Sequence, residues 1–165
     1  MEESAEGRGE DTIQTIHTLQ QEEDVITGIG HTAYRVRDVE ASLRFYSGVL
    51  GFRELFRLNR DTGELWLIYL RVNDDTYVEL FPGGEDRTEV TPKSCGYVHL
   101  CLAVDDLRAT LRELAGRGLE ITGEPRMGRD GNWQYWIADP DGNRIELMQM
   151  LPTSMQAQAI AALKR

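Results

Sequence analysis

Apolar positions along the chain change their period in a fixed order, and they do so twice. The run ITGIGHTAYRV from residue 26 reads as a strand, and Val39, Leu43, Tyr46 and Leu50 then recur at helical spacing as one stripe. Gly51 follows as a helix stop. RELFRLN, LWLIYLRV and TYVELF read as three further strands. The second round opens with CGYVHLCLAV, continues with a helical stripe of Leu107, Leu111 and Leu114 that stops at Gly118, and closes with strands near EITGEPR, WQYWIAD and RIELMQM. Asp38 and Asp106 stand at the two strand-to-helix junctions, where a carboxylate accepts from free backbone N–H groups. DPDGN, Asp139 to Asn143, predicts a tight turn between the last two strands.

The two rounds are copies. HTAYRVRDVEASL from His31 overlays HLCLAVDDLRATL from His99 at an offset of 68, matching His31 with His99, Val36 with Val104, Asp38 with Asp106 and Leu43 with Leu111. With the offset reduced to 67, VELF lies on IELM and Glu79 falls on Glu146. A unit of about 55 residues occurring twice is too long for a solenoid repeat and fits a duplicated α+β module. The predicted fold is therefore α+β, with two tandem βαβββ modules over 25–82 and 96–150 within one domain, 25–150. The linker 83–95 is rich in Gly, Pro and charge, and 151–165 predicts a C-terminal helix capped by Ser154.

Charge is uneven. Residues 1–24 hold eight acids and one base, so −7 of the formal −10 sits there, and the segment reads as an acidic, disordered extension. A body of charge −3 offers no basic face to phosphates, which excludes nucleic acid as a partner. No apolar run approaches the roughly 20 residues of a membrane span. The polar N-terminus is neither a secretory nor a transit signal, and Cys95 and Cys101 form no CxxC pair. These features point to a reducing, cytoplasmic setting.

Against this background Glu79 and Glu146 stand out, each inside an apolar strand. A lone buried carboxylate costs several kcal/mol, roughly, unless a partner or a metal compensates it. Strand alternation puts Tyr77, Glu79 and Phe81 on one face and Val78 and Leu80 on the other; likewise Arg144, Glu146 and Met148 oppose Ile145 and Leu147. If the modules pack about a pseudo-two-fold axis, His31, Glu79, His99 and Glu146 converge as two imidazoles and two carboxylates. That set suits one divalent first-row ion (Ni, Co or Zn foremost, Mn or Fe also) and leaves positions open for water or substrate. Trp133, Tyr135 and Trp136 would wall a pocket; Tyr77, Trp133 and Tyr135 are the aromatic candidates for substrate contact.

HTAYRVRDVEASLRFYSGVLGF closely resembles the opening of bacterial glyoxalase I, and DPDGNRIEL resembles the closing strand of the vicinal oxygen chelate superfamily. That superfamily also includes the bleomycin-resistance proteins and extradiol dioxygenases. The resemblance covers about residues 26–150. It implies a curved, incomplete mixed β-barrel with flanking helices, a homodimer, and a site formed within one chain or across two. The four-residue set resembles that of glyoxalase I, implying a metal-dependent lyase or isomerase that moves a proton through a metal-bound enediolate. Glu146 would be the base, with Glu79 as its symmetry partner. Arg35 matches an arginine that holds the glutathione carboxylate, whereas Gly83 stands where the family places an Asn. The substrate is then a 2-oxoaldehyde–thiol adduct or a similar small oxygenated molecule. Methylmalonyl-CoA epimerase-like, extradiol dioxygenase-like and bleomycin-resistance-type binding activities are the alternatives; Glu79 argues against the dioxygenase, whose ligands are two His and one Glu.

Overall fold

A computed structural model of the chain describes residues 25–86 and 93–164. The acidic extension expected over 1–24 lies outside the described residues, as does the middle of the linker. Module one runs β1 (His31–Arg35), α1 (Val39–Leu43), a π-helical segment (Arg44–Val49), β2 (Arg53–Asn59), β3 (Leu65–Arg71) and β4 (Tyr77–Phe81). Module two runs β5 (Leu100–Ala103), α2 (Leu107–Gly116), β6 (Arg126–Met127), β7 (Trp133–Ala138) and β8 (Arg144–Gln149), followed by α3 (Met155–Leu163). The order is β-α-β-β-β in both. Each module forms one four-stranded mixed sheet, ordered β1-β4-β3-β2 and β5-β8-β7-β6. The first and last strands pair in parallel and the others antiparallel. Neither sheet closes into a barrel.

Local chemistry explains most element boundaries. Asp38 and Asp106 cap α1 and α2, their carboxylates accepting from Ala41 N at 3.0 Å and Ala109 N at 2.9 Å. Ser154 caps α3 through Ala157 N at 3.2 Å. In the DPDGN turn, Asp139 Oδ1 accepts from the N–H groups of Asp141 and Asn143, and Gly142 takes φ +80°. Two elements differ from the sequence reading. The first helix widens after Leu43, and the Leu50 N–H bonds back to Phe45 O at 2.9 Å, which brings Phe45 and Tyr46 side by side into the core. The strand expected over EITGEPR shrinks to Arg126–Met127, because Pro125 has no N–H to give the ladder and Gly123 sits at φ +92°.

Helices α1 and α2, the π-helical segment and one face of each sheet bury a single core. Val36, Phe45, Tyr46, Ile68, Leu70, Val78 and Leu80 of module one meet Leu107, Leu111, Leu114, Tyr135, Ile145 and Leu147 of module two. Polar contacts tie the modules across it. The Tyr46 hydroxyl, fully buried, donates to Asp139 Oδ2 at 2.8 Å, and Arg37 binds Asp141 at 2.7 Å. Burial, then the charge of Asp139, pushes the Tyr46 phenol up and keeps it a donor. Tyr46→Phe removes a donor from a buried carboxylate and should cost about 1.5–3 kcal/mol, read as a lower urea midpoint at unchanged m-value. A change within about 0.5 kcal/mol would mean that this bond does not join the modules.

No helix among the described residues is long and apolar enough to cross a membrane.

Candidate metal centre

Alternation along β1 and β4 places His31, Ala33 and Arg35, with Tyr77, Glu79 and Phe81, on the face of sheet one turned away from the core. His31 Nε2 lies 3.4 Å from Glu79 Oε2. Tyr69 stands opposite Glu79 on β3, with its hydroxyl 3.4 Å from His31 Nδ1. Phe56 stacks on Tyr69 at 4.9 Å and Tyr77 leans on it at 5.4 Å, so an aromatic floor runs up to the His–Glu pair. The Tyr77 hydroxyl donates to Asp74 O at 2.6 Å. Arg35 donates to Pro82 O at 3.0 Å with its guanidinium over Phe81.

Sheet two repeats the arrangement with a difference. His99 Nε2 lies 3.2 Å from Glu146 Oε2. Cys101 stands opposite Glu146 on one side and Trp136 on the other. The Trp136 indole meets the His99 ring edge-on at 4.8 Å, and Arg144 lies over the indole at 4.3 Å. These neighbours leave the Glu146 side chain 8% exposed, against 14% for Glu79. Glu146 Oε1 and His99 Nδ1 are buried without a hydrogen-bond partner. A carboxylate oxygen withdrawn from water and given no donor is what a cation would compensate, so the donors at this position fit a metal ion.

The structure thus brings the four expected ligands together as two pairs, one on the outward face of each sheet. Among the described residues no three His, Cys, Asp or Glu side chains are placed to share an ion, so the chain alone does not unite the pairs. Their faces are separated by the core that the modules share. Trp133 and Tyr135 also depart from expectation. Tyr135 is buried on the core face, its hydroxyl accepting from Thr122 N at 2.7 Å. Trp133 shares that face, packing against the core beneath Arg108. Trp136, of opposite parity, takes the place beside Glu146. Phe56, Tyr69 and Cys101 join the site without having been singled out. For Cys101 the signal was present, since it is two residues from His99 and so shares its face.

Burial, then the charge of Glu146 and a hydrogen bond to its carboxylate, pushes the Cys101 thiol up to about 11. Alkylation needs the thiolate, so at about pH 8 Cys101 should react well below the rate of an ordinary thiol and speed up in Glu146→Gln. Peptide mass spectrometry with iodoacetamide reads both rates; no acceleration in the variant would remove Glu146 as a cause.

The model of the glyoxalase/bleomycin resistance protein/dioxygenase superfamily matches residues 28–147. The chain belongs to this superfamily. A lactoylglutathione lyase of Haemophilus influenzae is 31% identical over 124 residues, covering 72% of this chain and 90% of that protein. Among solved structures, a glyoxalase family protein from Enterococcus faecalis superposes with TM-score 0.64 at 25% identity, covering 74% of this chain and 97% of the other. TnmS3, an antibiotic binding protein from Streptomyces sp. CB03234, superposes with TM-score 0.56 at 25% identity, covering 77% and 98%. The superfamily therefore includes both lyases and binding proteins among this chain's relatives.

Proposed function

We propose that the chain is a metal-dependent lyase of the glyoxalase I type, acting on a 2-oxoaldehyde–thiol adduct as a homodimer. The observation that carries this reading is the paired His and Glu on the outward face of each sheet, with Glu146 Oε1 buried and unpartnered. Two ligands per face are too few for a transition-metal site, and four are enough. Module one of one copy facing module two of another supplies His31 and Glu79 to His99 and Glu146. Such a pairing also covers the aromatic floor and Trp136, which a single chain leaves partly in solvent.

When bound, a divalent ion would supply Lewis-acid stabilisation of the negative charge that develops on substrate oxygens during proton abstraction. The chain's own residues do the rest. Glu146 takes the proton from the carbon next to the carbonyl and returns it to the neighbouring carbon. Its low exposure keeps that proton from exchanging freely with solvent. Phe56, Tyr69 and Trp136 exclude water and flank the adduct, and Arg35, anchored on Pro82 O, has N–H groups left for a substrate carboxylate.

Elemental analysis of protein purified without chelator or affinity metal tests the centre: about one transition-metal ion per chain is expected, lost in Glu79→Gln. Loss of hemithioacetal absorbance, with glutathione and with other thiols, tests the reaction. A chain that stays metal-free after incubation with Ni, Co, Zn, Mn and Fe(II) would sink the lyase reading. The aromatic floor favours a second reading, a protein that sequesters an aromatic ligand, whose affinity would survive Glu146→Gln.

A further inference from the structure

The internal repeat supplies a control on its own half-sites. In both modules the Glu is flanked on the parallel strand by the residue two after the His: Ala33 opposite Glu79, Cys101 opposite Glu146. The half-sites therefore differ at this position by a sulfur atom. It is in module two, where the sulfur stands, that the Glu side chain is more than nine-tenths buried with one oxygen unpartnered. A neutral thiol offers that carboxylate only a weak hydrogen bond, whereas a cation held between sulfur and carboxylate satisfies both.

We infer that Cys101 is a sulfur donor of the metal centre, giving module two a thiophilic character that module one lacks. The inference rests on the reading of His99 and Glu146 as metal donors. As the chain stands, no three donors share one point among the described residues. Coordination would require Cys101 to turn about its Cα–Cβ bond, the one heavy-atom torsion a cysteine has, from its place opposite Glu146 on the paired strand. The thiol proton leaves to solvent as the S–metal bond forms, with no change of oxidation state. A nitrogen, sulfur and oxygen set favours zinc or cobalt over hard ions such as manganese or magnesium.

Cobalt(II) reports sulfur ligation directly, independently of catalysis. The full chain carrying Cys95→Ala, so that Cys101 is its only thiol, is loaded with cobalt(II) and its spectrum recorded. The expected result is a near-ultraviolet sulfur-to-cobalt charge-transfer band beside the visible ligand-field bands. Adding Cys101→Ala or Cys101→Ser should abolish the near-ultraviolet band and keep the visible bands. Cobalt should also protect Cys101 from iodoacetamide, a readout that needs no Cys101 variant to fold. Bound cobalt with visible bands but neither charge transfer nor protection would overturn the sulfur donor and leave the His–Glu site standing. Failure to bind cobalt at all would overturn both.

Discussion

Mixing inactive Glu79→Gln chains with inactive Glu146→Gln chains should restore activity. The His31–Glu79 and His99–Glu146 pairs lie on outward faces of two sheets that bury their other faces in one core. On the proposed reading they meet when module one of one copy faces module two of another. In a mixed dimer, one site combines the two altered modules and the other combines the two intact ones. After denaturation and joint refolding at equal amounts, half the dimers are mixed with one good site of two, so about a quarter of wild-type activity is expected. A site built within one chain would give none, and the absence of recovery in a mixture shown to contain heterodimers would overturn the shared-site arrangement.

Glu146→Gln should produce opposite effects on activity and on the stability of the metal-free protein. The substitution keeps shape and removes charge. Without the carboxylate the centre loses a ligand and the proposed base, so kcat/KM should fall by at least about 100-fold and the metal content should drop. The metal-free variant, in contrast, no longer buries a carboxylate with an unpartnered oxygen, and it should unfold at higher urea than the metal-free parent, by about 1–3 kcal/mol. Glu79→Gln should show the same loss of activity and a smaller gain in stability, because Glu79 is the more exposed of the two. A Glu146→Gln protein that is both inactive and less stable would mean that the carboxylate supports the fold rather than a cation.

Much of this was legible in the sequence because it is local. The caps at Asp38, Asp106 and Ser154, the turn at Asp139–Asn143 and the parity of Glu79 and Glu146 each depend on a few neighbouring residues. The choice of Trp136 over Trp133 and Tyr135 depends on hairpin register. The turn centres on Asp141, Ala138 therefore opposes Arg144, and Trp136 opposes Glu146. That count could have been made from the turn alone. Tyr69 was hidden for another reason: its strand is apolar almost throughout, so alternation marks neither face. The placement of one module against the other was beyond reach, since it is decided by side chains far apart in sequence, such as Tyr46 and Asp139.

The division of labour between the two faces of each sheet bears on evolvability. The core face, with α1, α2 and the π-helical segment, carries the burial that holds the chain together, while His31, Glu79, His99, Cys101, Glu146 and Trp136 occupy the other side. Donors, aromatics and charges on that side can be exchanged with little debt to the hydrophobic core, and the substitutions that end one chemistry need not endanger folding. A scaffold so divided can pass from lyase to ligand trap through viable intermediates, and duplication of the module lets the two halves differ at equivalent positions, as they do at Ala33 and Cys101.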